Sequence, residues 1–74
     1  MKNLNEIIGA NVRRYRIQNK LSQKKLGKML HSTNLSVHNW ESGITLPSAI
    51  FLKGMSEVFG CSIDDLFRST ENEP

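Results

Sequence analysis

His31 and His38 are the chain's two histidines and Cys61 its one cysteine, and their spacing argues against the chemistry such residues usually perform. The histidines stand seven residues apart across a turn, and no Cys or carboxylate pattern completes a zinc set around them. No nucleophile has an adjacent base, no two carboxylates form an acid/base pair in a cleft, and no glycine-rich loop could cradle a phosphate. The expectation is a protein that is not an enzyme and carries no metal or cofactor. A lone cysteine permits no internal disulfide and fits a reduced, cytoplasmic setting. What stands out instead is charge. Residues 1 to 31 carry Lys2, Arg13, Arg14, Arg16, Lys20, Lys24, Lys25 and Lys28 against Glu6 alone, a balance of +7. Residues 32 to 74 carry Lys53 and Arg68 against six carboxylates, a balance of −4 within an overall +3. One half of the molecule should attract a polyanion.

The elements that hold these side chains are short. Seventy-four residues make one small domain, with little room for a cleft beside its core. No segment approaches the ~20 apolar residues of a membrane-spanning helix, and no apolar N-terminal stretch resembles a signal peptide, so a soluble chain with no membrane partner is expected. Asn3 with Glu6 resembles a capping box ahead of Ile8, Val12 and Tyr15, which recur at helical spacing. Ser22 caps a second helix over about Gln23 to Leu30, with Leu26, Met29 and Leu30 on its apolar side and Gly27 where a neighbour could approach closely. Thr33 caps a third helix with Val37 and Trp40 as its apolar pair, and Gly43 is placed to end it in a left-handed conformation. Ser48 caps a fourth, with Ala49, Leu52, Met55, Ser56 and Phe59 on one face and Gly60 as its stop. Ser62 and Asp65 form a capping box for a fifth, through Ile63, Leu66 and Phe67. The class is all-α. Residues 1–68 are expected to form the domain and 69–74 a disordered tail without apolar content.

LSQKKLGKML, a two-residue turn, TNLSVHNWESG, then LPS and VFGCSIDDLF resemble the Cro and cI-type helix-turn-helix repressors, the XRE family, from about Ile8 to Phe67. The resemblance implies a compact five-helix bundle of the lambda-repressor-like type, in which helices 2 and 3 form the helix-turn-helix and helix 3 enters the major groove of double-stranded DNA. Two positions depart from the pattern: His31 where the family usually has glycine, and Ser32 where it often has a small apolar residue. A positive φ at His31 would cost on the order of 1 kcal/mol.

On a helical wheel with Val37 at zero, Trp40 falls near about 300°, whereas His38, Leu35 and Asn39 fall near about 100°, 160° and 200°. Asn34 lies nearer the core arc, at about 60°, but in the first turn of a helix whose N-terminal end points into the groove. Asn34, Leu35, His38 and Asn39 are the expected base-reading set. An Asn amide pairs bidentately with adenine N6 and N7, and His donates to guanine N7 or O6. Leu35, apolar and opposite the core, can pack on thymine C5-methyl groups, so thymine is expected in each half-site. By family position, Ser22, Gln23, Lys24, Lys28, Ser36, Ser42, Gly43 and Thr45 lie near the phosphate path, where they would position the domain without reading sequence. Arg16 and Glu41 match family positions that often pair, fixing the recognition helix and aiming the guanidinium at phosphate.

Helix 4 shows a second apolar stripe, Ile50, Phe51, Gly54 and Val58, where family members usually carry polar residues. With Phe67 it forms the expected homodimer surface, which would let two recognition helices read a partly palindromic site. The reading is a DNA-binding transcriptional regulator, a repressor or autoregulating controller. The alternatives are an antitoxin-type protein that uses the same DNA face and holds a partner protein through helix 4, and a module for protein interaction alone.

Overall fold

A computed structural model describes residues 3–69. It contains α1 (Leu4–Gln18), α2 (Gln23–Met29), α3 (Asn34–Glu41), α4 (Ala49–Phe59) and α5 (Ile63–Phe67), with no strand among the described residues. Each helix opens on the polar residue expected to cap it. Asn3 accepts from the Glu6 N–H, Ser22 from Lys25, Thr33 from Ser36, and Ser62 with Asp65 closes both halves of its capping box. Ser48 has the extended capping backbone, but its hydroxyl makes no cap hydrogen bond. Of the expected tail, Ser69 is half-buried, and residues 70–74 lie outside the described residues.

The first three helices also end alike. After α1, the Leu21 N–H donates to the Arg16 carbonyl at 3.1 Å and the Lys20 N–H to Ile17 at 2.9 Å. After α2, Ser32 donates to Gly27 at 2.7 Å and His31 to Lys28 at 3.1 Å; after α3, Ile44 donates to Asn39 at 3.0 Å and Gly43 to Trp40 at 3.2 Å. This pair of bonds satisfies the last carbonyls and requires a left-handed residue at the pivot. Gly43 fills that place with φ 75°, but Lys20 and His31 adopt it with φ of 57° and 56°. The two-residue turn of the helix-turn-helix is therefore a helix C-cap with histidine where glycine would be unstrained.

Ile8, Val12, Leu26, Leu30, Val37, Trp40, Leu52, Met55, Phe59 and Leu66 form the core, with Tyr15 stacked on Phe59 at 5.6 Å between ring centroids. Two helical glycines set the distances within it. A Cβ on Gly9 would lie 2.4 Å from the Trp40 carbonyl oxygen, and one on Gly27 would lie 2.8 Å from Thr33 backbone atoms, so α1 and α2 approach α3 only without those side chains. Two residues expected on the apolar faces of their helices lie elsewhere. Met29 is 43 % exposed, because Leu30 at the end of α2 fills the inward position and turns its neighbour outward. Ala49 is exposed in the first turn of α4. Asn11, by contrast, is buried on α1, and its amide donates to the carbonyls of Leu66 at 2.8 Å and Arg68 at 2.9 Å, tying α5 to α1.

Candidate nucleic-acid interface

α3 divides into two faces. Val37 and Trp40 point inward and are almost fully buried, and Trp40 packs against Phe51 of α4 with ring centroids 5.0 Å apart. Asn34, Leu35 and His38 are exposed, and Asn39 is half-buried. Leu35 exposes 66 % of its surface, a large apolar side chain held in water between polar neighbours. The wheel thus separates the arcs correctly, with Asn39 at their boundary. His38 Nε2 lies 3.5 Å from the Ser42 hydroxyl, and the Thr33 hydroxyl donates to that of Ser36 at 3.0 Å, so the first turn of α3 is tied to its cap.

The inner end of α3 is clamped by an ion pair. Arg16 Nε donates to Glu41 Oε2 at 2.5 Å and a terminal nitrogen to Oε1 at 3.0 Å, with the two side chains only 13 % and 4 % exposed. Gln23 Nε2 donates to the same Oε1 at 3.1 Å, and the other Arg16 terminal nitrogen donates to the Leu21 carbonyl at 2.8 Å. One carboxylate on α3 thereby holds the end of α1, the start of α2 and the connection between them. A bidentate guanidinium–carboxylate pair is geometrically demanding, so it fixes where α3 points as well as that it is held. The Arg16–Glu41 pair is present as expected. The guanidinium is turned inward onto Glu41 and Leu21, however, and serves the recognition helix from behind.

The remaining expected positioning residues lie on or next to α2 and α3. Ser22 is exposed and already accepts a cap bond; Lys24 and Lys28 are exposed on α2; Ser42 and Thr45 are exposed and Gly43 half-buried just beyond α3. A Cβ on Gly43 would lie 3.3 Å from Glu6 Cγ on α1, a contact that a small shift of the Glu6 side chain would relieve. Sequence reasoning missed Gly9, Asn11 and Lys20. Their partners are backbone atoms distant in the chain, or a conformation that glycine normally announces.

A helix-turn-helix family model matches residues 12–66, a span from α1 to α5 that contains the clamp and both arcs of α3. The chain belongs to the XRE-type helix-turn-helix family. Members of that family are DNA-binding transcription regulators. The P22 c2 repressor, solved in complex with synthetic operator 9T in the presence of Tl⁺, is similar at 33 % identity and TM-score 0.78, covering 82 % of this chain and 92 % of its own. A hypothetical transcription factor, NHTF from Neisseria, shares the fold at TM-score 0.85 with 17 % identity, covering 93 % of this chain and 79 % of its own. The clp gene regulator ClgR from C. glutamicum does so at TM-score 0.80 with 21 % identity, covering 89 % and 86 %. No curated protein matches by sequence. Among the described residues, no helix is long and apolar enough to cross a membrane.

The expected dimer stripe on α4 is not a single open face. Ile50 is 75 % exposed, but Phe51 packs on Trp40, Gly54 lies against Leu30, and Val58 is half-buried against the core. Phe67, on α5, is 38 % exposed. The stripe is instead one wall of a groove whose other wall holds Met29 and His31.

Proposed function

We propose that this protein is a sequence-specific regulator that binds double-stranded DNA with α3 in the major groove. It represses, or autoregulates its own expression, from a partly palindromic operator read as a homodimer. The observation that carries the reading is the exposed arc of α3. Asn34, Leu35 and His38 are unburied on a helix whose opposite face is anchored by Trp40 and by the Arg16–Glu41–Gln23 clamp. A structure that spends its polar bonds behind a helix and leaves an apolar side chain in front of it is suited to a surface that displays both edges and methyl groups, as the major groove does. The similar P22 c2 repressor was crystallised on an operator, which supports the same class of ligand.

In this reading Asn34 and Asn39 pair with adenine edges, His38 donates to guanine or to a phosphate, and Leu35 packs on thymine methyl groups. Ser22, Gln23, Lys24, Lys28, Ser36, Ser42, Gly43 and Thr45 set register along the backbone. Arg16 acts at one remove, by holding Glu41 and thereby α3. Two half-sites about 34 Å apart, one helical turn, supply the specificity that a single short helix lacks. Selection from a pool of random duplexes tests the whole reading. The expected product is a two-fold-related pair of half-sites containing thymine and adenine, bound with an affinity that falls steeply with salt. Recovery of no enriched sequence, or binding indifferent to salt, overturns it.

A further inference from the structure

The first three helices close around a left-handed pivot, and the pivots are Lys20, His31 and Gly43, with φ of 57°, 56° and 75°. Gly43 shows that the turn is complete without a side chain, so Lys20 and His31 hold strained backbone that the turn does not require of them. Strain of this kind concentrates at binding sites, where a side chain is needed for something other than the fold. The two side chains have different surroundings. His31 lines the groove against α4, whereas Lys20 is exposed at the α1–α2 connection and makes no ion pair among the described residues. The backbone beside Lys20 is firmly held. The Arg16 carbonyl accepts the Leu21 N–H at 3.1 Å, and the Arg16 guanidinium donates to the Leu21 carbonyl at 2.8 Å and to Glu41 of α3 at 3.0 Å.

We infer that Lys20 contacts a DNA phosphate, in addition to Ser22, Gln23, Lys24 and Lys28; the inference rests on the DNA-binding reading above. Lys20 stands two residues before Ser22, at most ~7 Å along the chain, so its ammonium on a flexible stem reaches the same stretch of phosphates. The charge is free to act there. Glu6 lies at the opposite end of α1, and the Glu41 carboxylate is already taken by Arg16 and Gln23. That same clamp ties the connection to the end of α3, so Lys20 is carried at a fixed place relative to the recognition helix. An ammonium attracts phosphate as a point charge, and Lys20 therefore adds affinity without reading a base. Glycine at this pivot would give a more stable fold with a weaker hold on DNA. The chain has the less stable and more basic solution.

Separating the charge from the strain provides the test. Lys20→Gln removes the charge and keeps a side chain at the pivot, Lys20→Gly removes both, Lys20→Arg keeps both, and His31→Gly relieves strain at the other pivot alone. Affinity is measured against salt for the selected duplex and for a scrambled duplex of the same length. Lys20→Gln and Lys20→Gly should each bind both duplexes about five- to tenfold more weakly per bound subunit at roughly 0.1 M salt, with a salt slope shallower by about one per subunit. Lys20→Gly should do so while its Tm rises by roughly 5 °C, a combination that a purely structural role for Lys20 does not produce. Lys20→Arg should keep the affinity and slope of the unmodified chain, and His31→Gly should keep both while gaining stability. Unchanged affinity and slope in Lys20→Gln, or the same losses in His31→Gly, overturn the assignment of Lys20 and leave DNA binding standing. An unmodified chain that binds neither duplex, or binds them indifferently to salt, overturns both.

Discussion

The two faces of α3 are built from eight consecutive residues on opposite principles. On the inner face Val37, Trp40 and Glu41 are buried or nearly so, and the Glu41 carboxylate accepts hydrogen bonds from Arg16 and Gln23. On the outer face Asn34, Leu35 and His38 stand in water, with only the long His38–Ser42 contact between side chains. The difference separates the tasks. The inner face should set stability and the direction of the helix, and the outer face should set affinity and sequence preference with almost no effect on folding. Substitutions can break this division or sharpen it.

The largest effect is expected at Trp40. Trp40→Ala removes a buried aromatic in contact with Phe51 and should cost ~3–5 kcal/mol, enough to unfold most of a domain this small, as thermal denaturation would show. Next comes Glu41→Ala, which leaves the nearly buried Arg16 guanidinium without its counter-charge and should cost ~3 kcal/mol in denaturant titration. The double replacement Arg16→Met with Glu41→Leu should lose far less stability, since no unpaired charge is left behind. The double variant should nonetheless bind operator more weakly, because the bidentate geometry that aims α3 is gone. Equal operator affinity in a folded double variant would show that aim does not depend on the clamp.

A gain is expected at His31. His31→Gly relieves a positive φ and should stabilise the fold by ~1 kcal/mol, raising Tm by roughly 5 °C. The smallest effect concerns acid. The Ser62 backbone N–H, which donates to the Asp65 carboxylate at 3.0 Å, and then the Ser62 side chain beside it hold that carboxyl below its ordinary value of 3.8. A depressed folded value contributes stability that is present above the ordinary range and lost as pH falls through the folded value. Asp65→Asn should therefore flatten the acid limb of a stability–pH profile below about pH 4 and leave neutral pH binding unchanged.

The same contrast explains what was legible in the sequence. Helical periodicity separated Val37 and Trp40 from Leu35 and His38 because burial and spacing are one signal in an amphipathic helix. Cap residues marked all five starts, and Gly27, Gly43 and Gly60 announced a close approach and two stops. Asn11 was not legible, since an asparagine inside a helix reads as surface and its partners lie 55 and 57 residues further along the chain. Lys20 was missed for a related reason: the Leu21 and Arg16 backbone atoms that require its left-handed turn are common to any residue type. Met29 was assigned to the core because periodicity in a seven-residue helix does not decide which of two adjacent apolar residues turns inward. The α4 stripe was visible as an apolar excess, but its division between core contacts and groove wall depends on Leu30 and Trp40, which other helices supply.

The central claim is that the outer arc of α3 reads bases, with Leu35 reading thymine methyl groups. The most direct measurement is a double-mutant cycle on the selected operator: affinity of the unmodified chain and of Leu35→Ala for duplexes carrying thymine or uracil at the matched positions. Loss of one methyl contact corresponds to ~0.8 kcal/mol, about fourfold in affinity for each such thymine. The unmodified chain should lose that affinity on uracil, Leu35→Ala should bind both duplexes equally, and the stability of the two proteins should agree within ~0.5 kcal/mol. Equal binding of thymine and uracil by the unmodified chain, or the same loss in both proteins, would contradict it.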